Sequence, residues 1–213
     1  DAVALNNQKP GILMARHLLE LGHRDVAFIA PPLTARQHQR QKRVGGFLME
    51  FEKAGLSDHV LVRSAADSKD TEIPNIESEY RMGYDLTVEL LREGQPVTAI
   101  AALNDMMAFG AMDAMKAAGI SYGVDGDVIL ISFDACTAGL EYVMSGDINA
   151  DFECNPLAAP FVEDVIQQLE SGSTPDKEVY MVEHWYVNED ILSSITVNGE
   201  EQELTVVTQE IVD

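Results

Sequence analysis

Arg43, Asn104 and Asp134 are a guanidinium, an amide and a carboxylate, and each comes soon after a short apolar run. A guanidinium offers N–H donors in a fixed fork, a carboxylate only accepts, and an amide does both. Vicinal hydroxyls each donate and accept, so this set has the chemistry to grip a small hydroxylated molecule. Each residue also has a plainer reading. Asn104 or Asp105 can cap the helix that follows. Asp134 can be an ordinary loop acid. Arg43 belongs to a cluster with Arg36, Arg40 and Lys42, and such clusters are usually solvated helix faces. The ligand reading rests on all three falling on one rim.

The elements that would place them there follow from periodicity and turn residues. Residues 10–21 read as a helix with Pro10 in its first turn and Gly22 at its end. Strand 25–30 follows, then helix 36–54, strand 60–63, a polar, breaker-rich loop over 64–75, and helix 76–93. Strand 97–102, helix 105–118, strand 128–132, a short helix to Ser145, strand 148–152 and helix 156–170 complete the alternation. Such alternation predicts an α/β fold, a Rossmann-like parallel sheet flanked by helices through right-handed crossovers. Ligands of such sheets bind at the carboxyl ends of the strands. Asn104 and Asp134 lie just past two of them, and Arg43 lies near the start of the helix after a third. Beyond Lys177 the pattern becomes β-rich over 180–187, 191–197 and 203–207. Asn198-Gly199 signals a type I′ hairpin turn between the last two.

The 213 residues are 46% hydrophobic and 23% charged, ordinary proportions for a globular chain. No apolar run approaches the roughly 18–20 residues that span a bilayer. The formal charge is −22, and it is uneven: residues 1–106 hold 12 Lys/Arg against 15 Asp/Glu, and residues 107–213 hold 2 against 21. Such a surface repels phosphate backbones, so no direct nucleic-acid contact is expected from this chain. The two cysteines, Cys136 and Cys154, form no CxxC pair, and the five histidines (17, 23, 38, 59, 184) show no metal spacing. No nucleophile elbow, phosphate loop or dinucleotide fingerprint occurs. The chain therefore reads as a binding module with no catalytic residues, metal or cofactor.

Several segments resemble the type 1 periplasmic-binding-protein superfamily, and together they cover residues 6–172. That group includes the sugar-binding components of ABC importers, of the ribose and galactofuranose type, and the ligand domains of lactose-repressor-like regulators. Leu21–Ile29 (LGHRDVAFI) looks like the G-H-x-x-(I/V)-A-x-I segment usual in the regulators. Arg43-x-x-Gly46-Phe47 is similar to the family's R-x-x-G-F element, Asn104-Asp105-x-Met107-Ala108-x-Gly110-Ala111 to N-D-x-M-A-x-G-A, and Phe133-Asp134 to F-D. The resemblance implies that Arg43, Asn104 and Asp134 contact a sugar. Ser145–Pro156 resembles the importers' crossover, where others place a sugar-contacting Gln at the position of Cys154, so Glu153 and Asn155 become the candidates for a fourth contact. The Ile131–Asp134 wording and the Asn198-Gly199 tail favour the importers, and the Gly22-His23-Arg24 wording favours the regulators.

By that resemblance the chain starts near the first of three crossings between two lobes, with the other lobe largely missing. Residues 8–150 would form the sugar-binding C-terminal lobe. Residues 151–178 would be a crossover and a helix belonging to the absent lobe, and 179–213 returning strands and a hairpin tail. The first expectation is an extracytoplasmic solute-binding protein, in the periplasm or on a lipid anchor, handing a sugar to an ABC permease. The alternatives are a cytoplasmic regulator's effector domain and the sugar-sensing domain of a membrane receptor kinase. Helix 156–171, deprived of its sheet, is expected to bury Leu157, Phe161, Val165 and Leu169 on its own lobe or on a second copy in a homodimer.

Overall fold

The computed structural model describes residues 2–34, 36–66 and 76–213. Most of the predicted loop 64–75 lies outside the described residues. First come β1 (Ala2–Ala4) and α1 (Gln8–Glu20), then β2 (Val26–Ala30), α2 (His38–Lys53) and β3 (Val60–Ser64). Next are α3 (Ile76–Glu93), β4 (Ala99–Ala102), α4 (Asp105–Ala118), β5 (Ile129–Asp134), α5 (Thr137–Ser145) and β6 (Ala150–Glu153). The rest comprises α6 (Ala159–Glu170), β7 (Glu178–Tyr180), β8 (Trp185–Val187), β9 (Ser194–Val197), β10 (Glu200–Glu203), β11 (Thr205–Val206) and α7 (Gln209–Val212).

The main sheet has the order β11-β8-β6-β5-β4-β2-β3. From β3 to β6 every pair is parallel, β8 runs antiparallel to β6, and β11 is parallel to β8. Every residue of β2 and β4 is buried, as is β5 up to Phe133. Strands covered on both faces need continuous apolar runs, and VAFIA, AIAA and ILISF supply them. The chain steps from β2 outward to β3 and then back past β2 to β4, so the direction of winding reverses there. Right-handed crossovers then put α1 and α2 on one face and α3, α4 and α5 on the other. Each of the two helix pairs meets through glycines: a Cβ on Gly11 would overlap the Arg43 carbonyl and one on Gly46 the Gln8 carbonyl. Likewise a Cβ on Gly83 would overlap Met107 and one on Gly110 would overlap Tyr80. Backbone-to-backbone approach at these points sets how deeply α2 and α4 sit over the strand ends.

The tail departs from its expected spans. Residues 180–187 do not form one strand. Glu178–Tyr180 pairs in parallel with β1, whereas Trp185–Val187 pairs with β6, and the chain must bend between two different partners. The hairpin is present, with Asn198 at φ 52° and Gly199 at φ 86° as a type I′ turn requires. Its second strand is Glu200–Glu203 rather than 203–207, because a two-residue turn pairs the residues that flank it directly. Residues 205–206 instead join the main sheet.

The expected packing of helix 156–171 on its own lobe is not found. α6 buries no residue. Leu157, Val162, Ile166 and Leu169 are 67%, 42%, 49% and 56% exposed, while Phe161 and Val165 are only partly covered. Both faces of the sheet are already occupied by α1 to α5, so nothing is left here for α6 to cover.

Candidate ligand-binding site

Arg43 is not on a solvated face. Lys42 and Arg36 are exposed, but Arg43 is buried at 7%. Its guanidinium carbon lies 3.3 Å from the centroid of the Phe133 ring, a cation–π contact. Nη1 donates to the Leu103 carbonyl at 2.7 Å and Nη2 to Asn7 Oδ1 at 3.0 Å. One side chain thus ties together the end of β5, the loop after β4 and the segment after β1. Nε is buried with no partner among the described residues. Burial pulls the guanidinium down to about 10, against the pull of Asp134.

Asn104 fills both roles open to it. Its Oδ1 accepts from the Met107 N–H at 3.1 Å and caps α4, and its Nδ2 donates to Glu79 Oε2 at 2.6 Å. Glu79 Oε1 is paired with Arg40 Nη2 at 3.0 Å. Asp134 ends β5 with φ 130°, followed by Ala135 at φ 54°. Its carboxyl is pushed up to about 7, first by burial and then by the charge of Asp105, while Arg43 opposes the rise. Arg43, Asn104 and Asp134 therefore stand at neighbouring strand ends on the rim where the sheet's winding reverses.

Glu153 and Asn155 sit beside them but are engaged elsewhere. Glu153 lies opposite Asp134 in the β5–β6 register. Its Oε2 accepts the His184 backbone N–H and faces His184 Nδ1, both at 2.9 Å. Asn155 Nδ2 donates to the Val182 carbonyl at 2.8 Å, and its Oδ1 accepts from the Leu157 N–H at 2.9 Å. Both staple the chain leaving β6 to the chain approaching β8. Between them Cys154 is close enough to Asp134 and Arg43 to feel their charges, and its thiol is pushed up to about 11, mainly by burial.

Three further residues belong to this neighbourhood and were not singled out from the sequence. Glu79 holds the Asn104 amide. Asn7 holds Arg43. Glu183 is pushed up to about 7 by burial, with Lys9 and Arg43 pulling the other way. Glu183 Oε1 and the Trp185 indole N–H have no partner among the described residues, and both residues line an open pocket of about 380 Å³ with Lys9. Among the described residues no group of three or more His, Cys, Asp or Glu side chains is placed to hold a metal. No described helix is long and apolar enough to cross a membrane.

A model of the periplasmic binding protein-like domain matches residues 15–185. The chain belongs to this family. Its fold is the type 1 periplasmic-binding-protein fold. The HTH-type transcriptional regulator GalR of Salmonella typhimurium is 32% identical over 132 residues, 62% of this chain and 34% of that protein. The periplasmic component of the arabinose ABC transporter from Shewanella sp. ANA-3, solved with arabinofuranose bound, aligns with a TM-score of 0.68 at 22% identity, covering 87% of this chain and 58% of the other. A LacI family regulator from Enterococcus faecium with bound ribose aligns with a TM-score of 0.65 at 21% identity, covering 98% and 66%. This periplasmic-binding-protein-like domain spans about a third of the length of the curated relatives it matches: 34% and 35% of the first GalR and PurR proteins.

Proposed function

We propose that this domain is one wall of a sugar site, and that Arg43, Asn104 and Asp134 are its hydrogen-bonding residues. The supporting observation is their convergence at the carboxyl ends of adjacent strands, with donor and acceptor groups of both kinds facing one rim. Asp134 would accept from ligand hydroxyls, and the Asn104 amide would donate once Glu79 yields. Arg43 would donate through Nε, its one side-chain nitrogen without a partner among the described residues. Glu153 and Asn155 would need to exchange their present partners to contact a ligand, so we place them behind the three primary residues. The role is binding without catalysis.

In the longer protein we infer an effector-binding lobe of a transcription regulator, because the curated relatives at 28–32% identity are regulators. Such a protein would work in the cytoplasm, would not touch DNA through this acidic chain, and would pair with a second copy. The second reading is an extracytoplasmic binding protein serving an ABC permease, supported by the Ile131–Asp134 and Asn198-Gly199 wording. Isothermal titration of the full-length protein with D-ribose, D-galactose and L-arabinose tests the shared claim. One sugar should bind, and Asp134→Ala should weaken it by about 1.5–3 kcal/mol, the scale of a charge-assisted hydrogen bond. Unchanged affinity in that variant removes Asp134 from the site. Sugar-dependent release of operator DNA by the full-length protein separates regulator from importer.

A further inference from the structure

Asp134 and Ala135 are consecutive non-glycine residues at positive φ, 130° and 54°. That region is disfavoured for side chains with a Cβ, so the turn persists only because its surroundings hold it. Two buried carboxyls do so. The Ala135 N–H donates to Asp151 Oδ1 at 3.2 Å, and the Cys136 N–H donates to Asp105 Oδ2 at 2.9 Å. Ser132 Oγ, on β5 just before the turn, donates to Asp105 Oδ1 at 2.5 Å. Asp105 is 2% exposed and Asp151 0%.

The two carboxyls also face each other. Asp151 Oδ2 is buried with no hydrogen-bond partner among the described residues, and the Asp105 carboxyl is the charge that acts on it most. A Cβ on Gly139 would stand 2.5 Å from Asp151 Oδ2 and 2.8 Å from Asp105 Oδ2, so α5 closes over the pair with a bare backbone. Titratable neighbours of the pair include Asp134 at the end of β5, with Arg43 acting on it in turn, Cys136 in the turn, and Tyr186 opposite Asp151 on β8. Two carboxylates that touch out of reach of water do not both ionise.

We propose that Asp105 and Asp151 hold one proton between them, and that this shared proton locks the 134–136 turn and so positions Asp134 for its ligand. The proposal rests on Asp134 being a ligand contact. Burial and the neighbouring Asp105 both raise Asp151 well above the ordinary carboxylate range. Loss of the proton would leave two buried like charges, whose repulsion parts the acceptors of Ala135 and Cys136 and frees the strained turn.

NMR on this chain tests it without a known ligand. The Asp151 side-chain carbon and the backbone amides of Asp134, Ala135 and Cys136 are followed from pH 6 to 10 in the wild type, in Asp151→Asn and in Asp105→Asn. The Asp151 carbon should report a protonated carboxyl at pH 7, and the three amides should move with it only on the alkaline side. Asp151→Asn can donate to Asp105 through its amide and still accept from Ala135, so it should keep the native amide shifts and lose the alkaline movement. Asp105→Asn should likewise abolish that movement. The proposal is overturned if Asp151 is ionised at pH 7, if the turn amides ignore its titration, or if Asp151→Asn displaces the turn at pH 7. D-ribose titrations of Asp134→Ala separate the two claims: unchanged affinity there sinks the sugar reading and leaves the proton lock to stand or fall on the NMR result.

Discussion

The guanidinium of Arg43 lies on the ring of Phe133, 3.3 Å from its centroid, while Nη1 reaches the Leu103 carbonyl. A planar, forked cation is needed for both contacts at once, and an ammonium cannot make them together. Arg43→Lys should therefore lower stability by roughly 2–3 kcal/mol, from the lost charge-assisted bonds and the buried acceptors left open. It should also abolish detectable sugar binding. Urea unfolding with the chain's own tryptophan as probe checks the first claim. A stability loss under about 0.5 kcal/mol, the range of surface changes, would show that Arg43 is not pinned as described.

Sugar affinity should rise with pH across the neutral range. The ionised Asp134 carboxyl is the form that accepts hydroxyl donors, and in the unliganded protein that group sits at about 7. Affinity should climb from pH 6 to pH 8, and Asp134→Asn should flatten the profile. Glu183, also at about 7, is the other group that can produce such a slope, so Glu183→Gln is the control that assigns it. The same shift has a stability consequence. A carboxyl raised in the folded state binds more protons folded than unfolded between about pH 4 and 7, so stability falls as pH rises through that window.

His17 works in the opposite sense. It is fully buried in α1, both ring nitrogens lack partners among the described residues, and burial lowers it to about 4. The unfolded chain binds its proton from about 6.5 downward while the folded chain does not, so stability is lost as pH falls from 6.5 toward 4. His17→Leu should stabilise the domain by about 1–2 kcal/mol at pH 7 by removing unsatisfied polar atoms. The gain should grow in acid. Thermal unfolding at pH 7 and pH 5 measures both, and a destabilised variant would mean that the imidazole has partners.

Gly83→Ala should separate α3 from α4, because its new Cβ would meet the Met107 backbone. Overpacking against backbone costs about 2–3 kcal/mol. Since α4 begins at Asn104, sugar affinity should fall as well. Gly45→Ala, inside α2 with open space around its Cβ position, is the comparison for backbone effects. Equal losses in the two variants would argue against close helix contact as the cause.

Much of this was readable in advance, because buried parallel strands leave unmistakable apolar runs and glycine stops punctuate the helices between them. The rim positions of Asn104 and Asp134 follow from those boundaries alone. Their partners do not. Glu79 reaches Asn104 from 25 residues away across a packed helix pair, and no local pattern announces that. Asn104 posed a false choice between cap and ligand contact, since its two amide atoms serve different partners. The bend within 180–187 was hidden because alternation looks the same whichever strand a segment pairs with. Asp105 and Asp151 read as a helix-start acid and a strand acid, and only the fold brings them together over Gly139.

The most direct test is an amide NMR titration of this chain with D-ribose, D-galactose and L-arabinose at millimolar concentration, where even one wall of a cleft gives a measurable response. At least one sugar should shift the signals of Leu103–Asp105 and Phe133–Cys136 in a saturable way, and Asp134→Asn should remove the effect. Sugars that leave those signals still, or that move only residues away from the rim, such as the β9–β10 hairpin, would contradict the account.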